Sequence, residues 1–98
     1  MLSNQQWCEK KAAKYAACDT VSRQLLCEYY TRMAKIETPK EGVGSGEMNT
    51  MRGILRAEMT AKAKAEAVSK EVREVAENFR ATCFVFADGS FIRIDVFA

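Results

Sequence analysis

The stretch that decides the fold reads Cys83-Phe84-Val85-Phe86-Ala87-Asp88-Gly89-Ser90-Phe91-Ile92-Arg93-Ile94-Asp95-Val96-Phe97. Two runs rich in aromatic and β-branched residues flank an Asp-Gly pair. This is a strong short hairpin signal, because a two-residue hairpin turn needs positive φ, which Asp-Gly tolerates. A turn centred on Asp88 and Gly89 predicts Val85 opposite Ile92 and Cys83 opposite Ile94 on one face. Phe86 then opposes Phe91, and Phe84 opposes Arg93, on the other. The first face is expected to pack on the chain's own helices, together with Val96. The phenylalanine face then calls for a further partner.

Working back toward the N-terminus, the remaining pattern is read as helical. Ser3 as N-cap, Gln6 closing a capping box and Leu2 stapled to Trp7 predict a helix start. Ala12, Tyr15, Cys18, Ser22, Leu26, Tyr29, Met33 and Ile36 follow at spacings of three and four, so a first helix is expected over about 3–37. A kink at Asp19-Thr20, where Thr20 can cap a new segment, is the alternative to continuity. Residues 38–46, with the only proline and three of the five glycines, form the expected connector. Their glycines do not match a phosphate-binding loop. A second helix is expected over about 47–81, with Met48, Met51 and Leu55 on its early stripe and a heptad-like series at Ala65, Val68, Val72, Val75 and Phe79. Glu66, Lys70 and Glu74 read as surface ion pairs at helical spacing.

The expected fold is therefore α+β and mainly α, a single domain over 1–98. It consists of two long antiparallel helices, the first with a kink as the alternative, followed by a β-hairpin over 83–97. Two such helices make a hairpin about 50 Å long with little interior, which favours a homodimer. The N-terminal Leu2, Trp7 and Tyr15 are expected to cover the sheet.

Composition narrows the classes. The chain has 98 residues, 48% hydrophobic and 29% charged, which fits one globular domain. Its formal charge of +2 exerts little bulk pull on nucleic acid or anionic lipid. No apolar run reaches the roughly 18 residues of a membrane span, and Met1-Leu2-Ser3-Asn4-Gln5-Gln6 lacks signal-peptide character, so a cytoplasmic protein is expected. Cys8, Cys18 and Cys27 on one straight helix would stand about 13 to 15 Å apart in succession, too far for disulfides. With no histidine and no close cysteine pair, neither zinc nor another cofactor is expected. The Cys8 to Cys18 spacing matches half of the twin pattern of mitochondrial helical-hairpin proteins, but the second helix carries no cysteine.

The same absence of histidine removes Ser-His and Cys-His catalysis. The pairs Glu71 with Glu74 and Glu74 with Glu77 read as solvated helix surface beside Lys70 and Arg73, not as acid/base machinery. A non-enzymatic protein binder is the leading expectation, with Phe84, Phe86, Phe91, Arg93 and Phe97 as the partner-binding face. A nucleic-acid binder using Trp7, Lys10, Lys11 and Lys14, flanked by Glu9 and Asp19, is the alternative. A small ligand held between subunits is a third reading. In size and build the chain resembles small accessory proteins of phages and mobile elements, among them anti-CRISPR proteins, which act by occupying a surface on a larger machine. The likeness involves no diagnostic motif.

Overall fold

The computed structural model describes residues 1–37, 45–77 and 79–97, with the side chains of residues 45, 75, 79 and 95–97 excepted. Most of the expected connector, at 38–44, lies outside the described residues. The described chain forms α1 (Asn4–Lys14), α2 (Val21–Ile36), α3 (Ser45–Glu66), β1 (Ser69–Ala76), β2 (Phe79–Val85) and β3 (Phe91–Phe97). The class is α+β and mainly helical, but three helices and three strands replace the expected two helices and one hairpin.

The start of α1 follows its sequence. Ser3 Oγ accepts the Gln6 N–H at 3.1 Å and Gln6 Oε1 accepts the Ser3 N–H at 2.9 Å, forming the expected capping box. The continuous first helix is corrected to two. Cys18 sits in the left-handed region at φ +48°, which no helix interior allows, and Thr20 restarts the chain as an N-cap by accepting the Arg23 N–H at 3.2 Å. Beyond this break α2 folds back on α1. The Cys27 thiol donates to the Ala12 carbonyl, and Cys8 is buried with Met33 and Ala34 of α2 and Leu55 of α3.

Helices α2 and α3 are antiparallel. Their register is marked by ion pairs between Glu28 and Lys62, Arg32 and Glu58, and Glu37 and Arg52. The outer two of these, by chain position, bracket the middle one at one- to two-turn intervals along α2. The two exposed pairs, Glu28 with Lys62 and Arg32 with Glu58, contribute about 1 kcal/mol or less each, so their clearer role is alignment, whereas the Glu37 carboxylate is largely buried against Arg52. Of Met33, Ile36, Met48 and Met51, read from the sequence as one core group, Met33 is buried, Ile36 packs partly buried against its cluster, and Met48 and Met51 are half-buried.

The second helix ends fifteen residues earlier than expected, at Glu66 instead of 81. Ala67 N–H still donates to the Ala63 carbonyl, but the next donor, Val68 N–H, bonds the Val85 carbonyl at 2.8 Å and leads the chain into β1. Of the apparent heptad of valines, Val68 therefore lies in the bend before β1, and Val72 and Val75 are strand. Val68 and Val72 are 67% and 54% exposed, so this spacing does not mark a buried stripe. Cross-strand bonding overrides the helical preference of the Lys, Glu, Arg and Ala residues around them. The expected helical ion pairs of Lys70 with Glu66 and Glu74 are replaced by a strand pair, Arg73 on Glu71 at 2.9 Å.

The sheet is antiparallel in the order β1-β2-β3. Its hairpin turn is one residue longer than expected. Gly89 N–H donates to the Phe86 carbonyl and Phe86 N–H to the Ser90 carbonyl, and only glycine has positive φ, at +85°. This is a three-residue loop in which Gly89 supplies the left-handed position. The extra residue changes the register to Val85↔Phe91, Phe84↔Ile92, Cys83↔Arg93 and Thr82↔Ile94. Side chains of β2 thereby exchange faces relative to β3.

Phe84 and Phe86, expected outside, are 5% and 2% exposed. They join Ile92, Ile94, Leu25 and Ala63 in the core. Val21, Leu26, Met59 and Ala67 pack around them. Thus α2 and α3 cover the sheet, not the expected Leu2, Trp7 and Tyr15. The body measures 42 × 34 × 26 Å, shorter and thicker than the expected 50 Å helical hairpin. The inward break supplies an interior within one copy, so the length-based argument for a homodimer no longer applies.

The hairpin loop also caps α2. Asp88 Oδ2 accepts the Val21 N–H at 2.7 Å, and Ser90 Oγ accepts the Ser22 N–H at 3.2 Å. The Ser90 hydroxyl and N–H both donate to Asp88 Oδ1. These bonds, led by the Ser90 hydroxyl and followed by the Val21 N–H, hold the Asp88 carboxyl below its ordinary pKa.

Two measurements check this architecture. Phe86→Ala should cost about 3 to 5 kcal/mol in denaturant unfolding, while Phe91→Ala should cost less than about 1 kcal/mol. Equal losses would contradict the assigned faces. Because folding lowers the Asp88 pKa, its carboxylate contributes stability above its unfolded pKa and loses that contribution as pH falls through the folded pKa. Asp88→Asn should therefore be less stable than wild type at neutral pH, with the gap closing in acid.

Candidate functional site

The sheet carries helices on one face only. On the other, β3 presents Phe91 at 60% exposure beside half-buried Val85, followed by exposed Arg93. Glu71 and Arg73 continue this face across β1. Between them, Ala81 and Cys83 are small residues of the middle strand, and the longer side chains of Glu71, Arg73 and Arg93 flank them at paired positions. The face is thus an apolar corner at Val85 and Phe91 bordered by charge. The Arg73 guanidinium, by hydrogen bonding and by its charge, holds the Glu71 carboxyl below its ordinary range.

Of the five residues expected to form a partner-binding face, Phe91 and Arg93 remain together on the open side. Phe84 and Phe86 belong to the core, and the side chain of Phe97 lies outside the described residues. Val85 was expected in the core and instead accompanies Phe91. The signal that separates these faces is the loop length. Asp-Gly is compatible with either a two-residue turn or a three-residue turn ending in glycine.

A second surface lies on α1. Leu2, Trp7, Lys10, Lys11 and Lys14 line an open hollow of about 490 Å³. Lys11 Nζ stands 5.3 Å from the Trp7 ring centroid, and Lys14 Nζ stands 5.6 Å from that of Tyr15. Behind them Tyr30 joins the aromatic group, edge-on to Trp7 at 5.7 Å and stacked on Tyr15 at 6.1 Å. Tyr29 meets Tyr30 at 5.1 Å. Burial pushes both phenols upward, with Arg56 pulling back in part at Tyr29. They are neutral at physiological pH, so they add no anionic charge beside the lysines.

The acidic residues thought to flank this patch are directed elsewhere. Glu9 accepts from Gln5 and lines a separate hollow with Ala12, Thr31 and Lys35, while Asp19 is paired with Arg23 at 3.0 Å. Among the described residues, no carboxylate lines the lysine hollow. Sequence reasoning identified four of its five lining residues, Trp7, Lys10, Lys11 and Lys14, but missed Tyr30 behind them, whose contribution depends on the return of α2 along α1.

The other expected chemistry changes with the fold. Glu71 and Glu74, an odd and an even position on one strand, fall on opposite faces of the sheet and form no carboxylate pair. Cys18 and Cys27 were expected too far apart on a straight helix to meet, but the break brings their thiols close enough to interact. Desolvation first, then the Cys27 thiol by charge and hydrogen bonding, pushes the Cys18 thiol upward. All four cysteines are free. Among the described residues there is no cluster suited to hold a metal ion, and no helix is long and apolar enough to cross a membrane.

No family model, curated protein or solved structure matches this chain.

Native thiol labelling followed by mass spectrometry should modify Cys18 first, with Cys8 and Cys83 protected until unfolding. All four should react after denaturation. Rapid native labelling of Cys8 would contradict its position between the three helices.

Proposed function

We propose that this chain is a non-enzymatic binding module that acts stoichiometrically by occupying a surface on another protein or protein complex. The observation that carries this reading is the uncovered sheet face, where Phe91 is 60% exposed while the other phenylalanines with described side chains, Phe84 and Phe86, are buried. An aromatic and an arginine on a rigid sheet are the residue types that dominate interface energies. A small inhibitor of a host defence complex, carried by a phage or mobile element, is the role that this build suggests. The phenylalanine contribution now centres on Phe91, with Val85 and Arg93, since Phe84 and Phe86 support the face from the core.

A nucleic-acid-binding function is the second reading, and the carboxylate-free lysine hollow favours it. Trp7 offers a stacking surface while Lys10, Lys11 and Lys14 offer phosphate contacts. The near-balanced net charge makes this the weaker reading.

The test is affinity purification of the full chain from its native host, followed by reconstitution with the recovered protein. Phe91→Ser should weaken a purified complex by about 2 kcal/mol, close to thirtyfold, while leaving the fold intact. Unchanged affinity would remove the sheet face from the proposal. Recovery of nucleic acid instead, with binding lost on Lys10→Glu/Lys11→Glu substitution and steeply weakened by salt, would establish the second reading.

A further inference from the structure

The two edges of the sheet are different. β1 carries Lys70, Glu71, Arg73 and Glu74 along its length, and such charge discourages strand addition. β3 reads Phe91-Ile92-Arg93-Ile94-Asp95-Val96-Phe97, with only two charged residues. Among the described residues no strand pairs with its outer edge.

The backbone phase of that edge follows from the hairpin. Phe86 N–H bonds the Ser90 carbonyl, so the alternating antiparallel ladder makes Phe84↔Ile92 and Thr82↔Ile94 hydrogen-bonded pairs. The peptide groups of Phe91, Arg93 and Asp95 consequently face away from β2. These outward groups are the donors and acceptors that another strand would meet.

The order of residues in β3 is nearly palindromic about Ile94. When two copies pair antiparallel with the two-fold axis at Ile94, Arg93 meets Asp95 of the second copy, and the reverse contact repeats it. Phe91 meets Phe97, Ile92 meets Val96, and Ile94 meets itself. The outward-facing peptide groups meet one another in this register, as hydrogen bonding requires. Moving the axis to Arg93 or to Asp95 also keeps the backbone in phase, but places like charges opposite each other, which is unfavourable. The charge pattern therefore selects the Ile94-centred register.

We propose that β3 is a self-pairing edge through which two copies form a two-fold dimer with a continuous six-stranded sheet. The occupant of the edge is a second copy of this chain, selected by reciprocal Arg93 and Asp95 contacts between matching apolar positions. This interface forms along the strand edge, and at its Phe91 and Arg93 positions it shares side chains with the outer face proposed above for partner binding; it is read from self-association of the chain alone, so its failure is distinguishable from a failure of partner binding. It also differs from an association of helices. A groove of about 200 Å³ lies between this strand and the helices, lined in part by Tyr29, Tyr30, Arg56, Ile92, Arg93 and Ile94.

Sedimentation analysis of the full chain, with Arg93→Asp, Asp95→Arg and the double exchange, tests this interface. The wild type should dimerise, and each single variant should raise the dissociation constant about tenfold or more by replacing attraction with repulsion at two symmetric positions. The double exchange should restore dimerisation. An equimolar mixture of the single variants should form the heterodimer in native mass spectrometry. Should a variant fail to fold, amide exchange on the unchanged chain provides the second readout: Arg93 and Asp95 amides should gain protection as concentration rises. A wild type that remains monomeric to submillimolar concentration overturns the proposal. So does a dimer insensitive to both single exchanges, or one that forms without protecting those amides.

Discussion

The structure depends on the junction between the hairpin loop and the start of α2. Asp88 and Ser90 receive the first two backbone N–H groups of α2, while Thr20 receives the third. These donors have no partner within a helix, and an anionic acceptor also complements the positive end of its dipole. One small cluster therefore fixes where the helix begins and where the hairpin lies, although they are 67 residues apart in sequence. Leu25 and Leu26 are thereby brought over Phe84, Phe86 and Ile92. The break at Cys18 allows α1 to return along α2 and close the second core cluster around Cys8.

Much of this was legible locally. The capping box at Ser3, the apolar stripe through Tyr29, Met33 and Ile36, and the hairpin around Asp88-Gly89 all reflect near-neighbour chemistry. The failures came where distant contacts select among locally acceptable states. Thr20 had a readable capping signal, but its use depends on α2 docking against the hairpin. Val68, Val72 and Val75 fit a helical heptad by spacing, whereas their β-branching favours a strand, and the Val68 N–H bond to Val85 with the pairing of Val72 on Thr82 decides between these readings. A single turn residue then reversed the relation between Phe84 and Phe86 on one strand and Phe91 and Arg93 on the other.

That reversal separates stability from recognition. Phe84 and Phe86 anchor the helices, leaving Phe91 and Arg93 on a face where substitution need not disturb the core. The lysine hollow is held by a different part of the chain, with Trp7 and Tyr15 braced by Tyr30. The sheet face is apolar at one corner and the helix face is cationic. A protein surface and a phosphate backbone would therefore engage different sides of the molecule.

The central structural claim is the three-residue turn, because it assigns every β2 and β3 side chain to its face. Proton NMR tests it through the close Hα–Hα contacts of non-hydrogen-bonded antiparallel pairs. The structure predicts such contacts between Val85 and Phe91 and between Cys83 and Arg93. Contacts that instead link Phe86 to Phe91 and Phe84 to Arg93, the non-hydrogen-bonded pairs of a two-residue turn, would contradict the account.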